Sequence, residues 1–94
     1  MCYVYILYSI SVNGYYIGIT INLENRVIAH NNKKYNKSFT KKADDWELYY
    51  TINCNSLNQA LKIEKHIKRM KSKDYICNLK KYPEMAEKLL LLYF

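Results

Sequence analysis

The sequence predicts a single α+β (α/β) domain in which a small three-stranded, mainly antiparallel sheet is flanked by helices. Two strand-like stretches lie on either side of Asn13-Gly14, the strongest short hairpin signal, and a third stretch follows at residues 46–52. Helical periodicity covers most of the remaining chain. The 94 residues suffice for one compact domain, so residues 1–94 are expected to form a single unit.

The first two strands are expected at residues 3–8 and 15–19, which are rich in aromatic and β-branched side chains. If Asn13 and Gly14 form the turn, Val12 faces Tyr15. Any turn of even length places odd-numbered residues of the first strand and even-numbered residues of the second strand on one sheet face. Tyr5 and Tyr16 are therefore expected to project from the same face.

The first helix is expected to begin after Asn22, a suitable N-cap, and to end at residue 30 or 31. Arg26 and His30 are spaced i and i+4, so they are neighbours on one side of this helix. The polar and basic residues 31–38 predict an exposed loop before the third strand.

Ser56 and Gln59 fit a capping box, which predicts a long helix from Ser56 to about residue 71. The apolar side of this helix, expected to pack on the sheet, comprises Leu57, Ala60, Leu61, Ile63, Ile67 and Met70. A short helix at residues 73–80 and a last helix from Pro83 to residue 94 complete the prediction.

Lys and Arg outnumber Asp and Glu 15 to 8, giving a net charge of +7. This surplus indicates a polyanionic partner such as nucleic acid, and a basic surface that serves only solubility is the alternative. No apolar run reaches the roughly 20 residues of a membrane span, and the first residues lack a signal-peptide pattern. A cytoplasmic protein without a membrane partner is expected.

The three cysteines, Cys2, Cys54 and Cys77, are widely spaced, and none belongs to a Cys-x-x-Cys pair. The odd count argues against a disulfide scaffold, and the spacing argues against a zinc site. All three are expected to be small buried residues.

Glu64 lies inside the apolar arc of the long helix, between Ala60 and Leu61. An ionised carboxylate removed from water is costly unless it is paired or holds a metal ion. Lys68, one turn later, offers a purely structural explanation through an i,i+4 ion pair.

Tyr5, Tyr16, Arg26 and His30 also have structural explanations. Tyrosines in strands often pack in the core, and Arg26 and His30 suit a solvated helix face. Taken together with Glu64, they are typical of a metal-assisted phosphodiesterase. A single carboxylate suits Mg²⁺, which keeps most of its waters. Arg26 and the cation would neutralise charge on the pentavalent phosphate.

These residues resemble the GIY-YIG nuclease superfamily, and most closely its small stand-alone bacterial members. The resemblance extends to the N-terminal domain of the excision-repair incision subunit and to phage homing endonucleases. It covers nearly the whole chain, from Tyr3 to about Asn78. The matching elements, in order, are Tyr3-Val4-Tyr5, Tyr16-Ile17-Gly18, Arg26-x3-His30, Ala60-x3-Glu64-x2-Ile67-Lys68, Lys71-Ser72-Lys73 and Asn78. Tyr3 replaces the usual glycine, which is expected to affect packing rather than catalysis.

The resemblance implies a DNA endonuclease that depends on Mg²⁺ or Mn²⁺. It implies that Tyr5 is the general base for the attacking water. Free tyrosine has a pKa near 10, so this role requires nearby positive charge. Tyr16 would orient the water or the phosphate, and Arg26 would stabilise the transition state. His30 would contact the phosphate or assist proton transfer.

The resemblance also implies that Glu64 is the metal ligand and that Asn78 braces the site by hydrogen bonding. Gly18 would lack a side chain because the backbone is closely approached at that position.

The expected DNA-binding surface consists of basic residues around the loop and the end of the long helix: Lys33, Lys34, Lys37, Lys41, Lys42, Lys68, Arg69 and Lys71. DNA, including branched or damaged DNA, is the expected partner, with RNA as the alternative. A monomer or weak homodimer is expected. The last helix has more apolar surface than one contact face needs, and this surface is expected to pack on the protein's own core, with a homodimer contact as the alternative. The alternatives are a non-catalytic nucleic-acid-binding module on the same fold and a structural protein whose charge is incidental.

Overall fold

The computed structural model describes residues 2–31 and 43–94, and these ranges contain three strands and four helices. The order is β1 (Cys2–Ser9), β2 (Gly14–Thr20), α1 (Leu23–Asn31), β3 (Glu47–Cys54), α2 (Leu57–Met70), α3 (Lys73–Lys81) and α4 (Pro83–Leu92). The predicted α+β class is confirmed: one three-stranded antiparallel sheet carries helices. No helix within the described ranges is long and apolar enough to cross a membrane.

β1 is the central strand, and the sheet order is β2-β1-β3. The predicted two-residue turn is wrong, because Ser9 pairs with Gly14 and residues 10–13 form the connection. Asn13 is the left-handed residue of this connection, with φ 47°, and its N–H donates to the Ile10 carbonyl at 3.2 Å. Asparagine tolerates this conformation better than most residues, so the hairpin signal marked a longer loop. The loop still has even length, and the predicted parity of the two strands holds.

Asp45 holds this loop in place from outside the hairpin. Its Oδ1 accepts hydrogen bonds from Ser9 Oγ at 2.5 Å and from Ser11 Oγ at 2.9 Å, and its Oδ2 accepts from Ser11 N at 3.1 Å. A side chain two residues before β3 therefore fixes the chain at the end of β1.

The larger core lies on the sheet face of the even-numbered β1 residues. Val4 and Ile6 pack there with Ile17 of β2 and Ile52 of β3 against the three later helices. The buried helical residues of this cluster are Ala60, Ile63 and Ile67 of α2, Ile76 and Leu79 of α3, and Ala86 and Leu89 of α4.

The predicted apolar side of α2 is too broad. Leu57, Leu61 and Met70 are exposed. The other predicted residues, Ala60, Ile63 and Ile67, are buried. The sheet has only three strands, so it covers a narrow stripe of the helix and leaves the margins in solvent.

Side-chain caps fix the N-termini of α1 and α2, as the sequence predicts. Asn22 Oδ1 accepts from Asn25 N at 3.1 Å, and Ser56 Oγ accepts from Gln59 N at 3.1 Å. The capping box differs in one respect, because Gln59 Oε1 accepts from Asn55 N at 2.7 Å. Gln59 Nε2 also donates to the Leu90 carbonyl at 2.9 Å, so one buried side chain joins α2, its preceding loop and α4.

Cys2 and Cys54 are buried as expected, but the same expectation for Cys77 is wrong. Cys77 is exposed on α3, and its Sγ lies 3.4 Å from the Tyr15 hydroxyl. The flanking residue Ile76 and the later Leu79 provide the buried side of this short helix, so Cys77 falls outside it.

Candidate active site

The candidate site is built on the opposite face of the sheet, where the odd-numbered β1 residues lie. Tyr5 and Leu7 form a second buried cluster there with Ala43 and Trp46. Leu23 and Val27 of α1 pack against this cluster, which places α1 on this face. The sheet therefore separates α1 from α2, α3 and α4.

Tyr5 is the centre of this face and is only 1% exposed. It pairs directly with Gly18 of β2 across the antiparallel ladder. A Cβ built on Gly18 would lie 2.5 Å from Tyr5 Oη and 2.6 Å from Cζ, closer than carbon atoms approach in proteins. The tyrosine ring thus lies over the glycine, and the missing side chain makes room for it.

Tyr16 lies beside Tyr5 on the same face, as the parity of the strands predicts. It pairs with Leu7, so it is the diagonal neighbour of Tyr5. The two ring centroids are 6.2 Å apart and the rings are tilted by 45°. Tyr5 is buried and Tyr16 is half-buried, so the pair extends from the core to the surface.

Arg26 is half-buried on α1, near the point where β2 ends. It helps to line a pocket of about 360 Å³, together with Thr20, Asn22 and Asn25. Thr20 Oγ1 accepts from Asn22 N at 3.1 Å, so the β2–α1 junction that aims this helix is fixed by its own side chains. His30 follows one turn later on α1, but its side chain lies outside the described part of the structure.

Glu64 lies on α2, whose buried residues pack on the other face of the sheet. Its side chain is 17% exposed, and its Oε2 lies 3.5 Å from Lys68 Nζ. The ion pair considered as the structural explanation is therefore present. Within residues 2–31 and 43–94, no three His, Cys, Asp or Glu side chains form a group that could hold a metal ion. The structure brings Tyr5 and Tyr16 together, whereas Glu64 lies on a helix that packs on the opposite face of the sheet.

The carboxylate of Glu64 nevertheless suits a hard cation. A lone, partly exposed carboxylate is what Mg²⁺ requires when it keeps most of its waters. The 3.5 Å separation from Lys68 exceeds the 2.7–2.9 Å or so of a charge-assisted hydrogen bond, and the Lys68 side chain is 51% exposed. Such a loosely held partner is readily displaced.

Asn78 is exposed on α3, the helix whose buried residues belong to the larger core. Its backbone carbonyl accepts from Tyr82 N at 2.8 Å, which joins α3 to α4. The structure does not place Asn78 in the cluster of Tyr5, and its bracing role stays a prediction.

Three of the predicted DNA-binding residues, Lys68, Arg69 and Lys71, are exposed at the carboxyl end of α2. The remaining five lie outside the described residues: Lys33, Lys34, Lys37, Lys41 and Lys42.

Two residues that support Tyr5 were not predicted from the sequence. Trp46 is 2% exposed in the Tyr5 cluster. Asn31, the last residue of α1, holds the Trp46 backbone twice: Oδ1 accepts from Trp46 N at 2.6 Å, and Nδ2 donates to Trp46 O at 2.9 Å. A lone tryptophan directly before a strand was the available signal, because such a large side chain is usually buried.

Comparisons with known proteins identify the family of the chain. Residues 1–81 match the family described as the GIY-YIG catalytic domain. The chain is 37% identical over 82 residues to a protein of Syntrophus aciditrophicus (strain SB) named "UPF0213 protein". That alignment covers 87% of this chain and 93% of the relative. No solved structure matches the chain.

Proposed function

The chain belongs to the GIY-YIG catalytic domain family, a family of nucleases, and from this premise we propose that it is a divalent-metal-dependent endonuclease that hydrolyses DNA. The observation that carries the proposal is the position of Tyr5 over Gly18 with Tyr16 beside it. Both tyrosines of the family motifs share one face, and the arginine-bearing helix α1 packs on that same face.

Tyr5 is proposed to take the proton of the attacking water. The water oxygen forms a bond to phosphorus as the bond to the leaving oxygen breaks, and the proton passes to Tyr5 Oη. Burial disfavours a charged phenolate, so this step needs positive charge close by. Tyr5 is only 1% exposed and packs in the cluster with Leu7, Ala43 and Trp46, which favours one position of its ring, and fixed geometry of this kind favours proton transfer.

Tyr16, Arg26 and His30 are proposed to act on the phosphate. Tyr16 is half-buried and adjacent to Tyr5, so its hydroxyl suits orientation of the water or of a phosphate oxygen. The guanidinium of Arg26 would stabilise charge that develops on the phosphate oxygens. His30 would contact the phosphate or protonate the leaving oxygen. Asn78 is proposed only as a residue that braces the site.

Glu64 is proposed to hold Mg²⁺ or Mn²⁺ after Lys68 moves away from the carboxylate. The bound cation would supply Lewis-acid stabilisation of the phosphate. Lys68 would then be released to contact a DNA phosphate, together with Arg69 and Lys71. The lysines at positions 33, 34, 37, 41 and 42 are proposed to extend this surface.

A non-catalytic nucleic-acid-binding module remains the second candidate because of one observation, the Glu64–Lys68 ion pair. In such a module the pair would be permanent and Glu64 would hold no metal.

Branched or damaged DNA as the substrate, and a weak homodimer through the exposed apolar end of α4, are further proposals. Light scattering at high protein concentration tests the dimer, and a monomer throughout would contradict it.

The deciding experiment is nicking of supercoiled plasmid and of a branched oligonucleotide, with Mg²⁺, with Mn²⁺ and with chelator. Tyr5→Phe and Glu64→Gln are each expected to lower the cleavage rate about 100-fold or more. The matched controls are Tyr8→Phe, which lies on the other face of β1, and Glu87→Gln, which is exposed on α4. Both controls should cut at the rate of the unmodified protein.

Each outcome has a distinct meaning. Metal-dependent cutting that survives Glu64→Gln would exclude Glu64 as the ligand. DNA binding without cutting under any metal condition would favour the binding module. Equal loss in Tyr5→Phe and Tyr8→Phe would show that the tyrosines matter for folding rather than for chemistry.

A further inference from the structure

A second pocket lies on the helical face of the sheet, where α2 ends and α3 begins. Its volume is about 460 Å³, within the range of roughly 300–1,000 Å³ typical of small-molecule sites. Its apolar wall is formed by Ile17 of β2, Ile67 of α2 and Ile76 of α3. Its rim carries three lysines, Lys68, Lys71 and Lys73.

The charged side chains that line this pocket are all basic, and one of them, Lys68, pairs with Glu64, which is not a lining residue. None of the described residues that line it is acidic. Lys73 Nζ donates to the Asn13 carbonyl at 2.9 Å, which ties α3 to the hairpin loop and fixes the rim. Lys71 is exposed and holds the left-handed conformation, φ 49°, that ends α2. A ligand that fits must combine an apolar body with negative charge.

We propose that this pocket is a nucleotide subsite. The base would lie against the isoleucine wall and the adjoining Tyr15, since every base has a flat face that packs on apolar and aromatic side chains. The phosphate would lie on Lys71 and Lys73, which offer ammonium donors at the rim. The nucleotide is either free or one unit of a bound strand, and the shared chemistry is a base joined to a phosphate.

The subsite is separate from the Tyr5 face but adjacent to it. Ile17 faces the pocket, whereas its chain neighbours Tyr16 and Gly18 face Tyr5. β2 is an edge strand of the sheet, so a nucleic-acid strand that passes around this edge would reach both the pocket and the Tyr5 face. Nucleotide binding here goes beyond the proposed hydrolysis and does not depend on it.

The amide signals of the two glycines distinguish binding in the pocket from binding at the Tyr5 face. Gly14 lines the pocket, and Gly18 lies under Tyr5. The test is a titration of ¹⁵N-labelled protein with dTMP in the absence of metal, followed by amide chemical shifts. We expect saturable shifts at Gly14 and Ile76, with Gly18 unmoved. Thymidine alone and inorganic phosphate alone should each bind at least about tenfold more weakly.

Substitutions make the assignment specific. Lys71→Glu should weaken dTMP binding about tenfold, the effect of losing one charge-assisted contact. Lys71→Gly should weaken it as well, and glycine adopts the left-handed conformation without strain, so misfolding cannot explain the loss. Lys62→Glu, on the same helix and outside the pocket, makes the same charge change and should leave binding unaltered.

A hexanucleotide, d(pT)6, distinguishes the source of the nucleotide. Tighter binding than dTMP, with shifts at both glycines, supports a unit of a bound strand. Equal affinity with shifts at Gly14 alone supports a free nucleotide. Equal binding of phosphate and dTMP, shifts confined to Gly18, or no saturable shift would overturn the subsite. None of these readouts requires cleavage, so loss of nuclease activity leaves this test unaffected.

Discussion

Tyr5 and Gly18 face each other across the β1–β2 ladder, and the phenol ring occupies the space that a side chain at Gly18 would need. The Tyr16-Ile17-Gly18 motif therefore ends in glycine because Tyr5 of the Tyr3-Val4-Tyr5 motif fills the space beside it. Two short motifs that are separate in sequence form a single steric unit in the fold, and a change at either position alters both.

Gly18→Ala is expected to destabilise the protein by about 1–3 kcal/mol, because the added methyl group would overlap the Tyr5 ring. Gly14→Ala is the control, since neither glycine has a positive φ and alanine suits the backbone at both. Urea unfolding of both variants measures the difference. Combining Gly18→Ala with Tyr5→Phe should recover only part of the loss, because Cζ remains 2.6 Å from the added carbon. Equal effects at the two glycines would contradict the steric explanation.

Gln59→Leu is expected to cost about 2 kcal/mol or more of folding stability. The substitution removes the acceptor for Asn55 N and the donor to the Leu90 carbonyl in a side chain that is 2% exposed. Asn58→Leu, on the exposed side of the same turn, should change stability far less. Thermal and urea unfolding provide the measurement. If both variants unfold alike, the link between α2 and α4 contributes nothing.

Asp45 should make stability depend on pH in acid. Hydrogen bonds from Ser9 and from the Ser11 backbone lower the pKa of this carboxyl from its ordinary value of 3.8. A folded pKa below the unfolded one means that the stabilisation is present above pH 3.8 and is lost as pH falls through the folded value.

The melting temperature of Asp45→Asn should therefore lie below that of the unmodified protein at pH 6–7, and the two should converge in strong acid. Asp44→Asn is the neighbouring exposed control and should follow the unmodified protein throughout. A difference in melting temperature that stays the same at all pH values would show that packing, and not ionisation of Asp45, causes the effect.

Cys77 should react first with an alkylating reagent at neutral pH. Hydrogen bonds from the hydroxyls of Tyr15 and Tyr49 lower the pKa of its thiol, whereas burial raises the pKa of Cys54. Tyr15→Phe removes one donor and should slow alkylation of Cys77 by about threefold. Tyr8→Phe is the control, because the Tyr8 hydroxyl donates to Asn13 instead. Mass spectrometry of the labelled peptides over a pH series gives the rates, and preferential labelling of Cys2 or Cys54 would refute the ordering.

Local rules were sufficient for much of the fold. Caps such as Asn22 and Ser56 depend on one or two neighbouring residues, so the sequence located them correctly. The placement of Tyr5 and Tyr16 on one face needed only strand parity, which survived an error in the turn.

The remainder depended on contacts between distant residues. The predicted turn was wrong because Asp45, which fixes Ser9 and Ser11, comes from a part of the chain more than 30 residues later. The width of the buried stripe on α2 depended on how much sheet lies beneath it. In the candidate site, the positions of Glu64 and Asn78 relative to Tyr5 depended on which sheet face each helix covers, and helical periodicity carries no information on that choice.

β1 is paired along both edges and covered by side chains on both faces. Its amide hydrogens should therefore exchange with solvent only when the whole protein unfolds. Tyr5 therefore lies on a strand that is expected to open least among the described residues, whereas Tyr16 lies on an edge strand and Arg26 on a single covering helix. For the proposed activity on DNA, any adjustment to differently shaped substrates is therefore expected to come from those outer elements, while Tyr5 keeps its position.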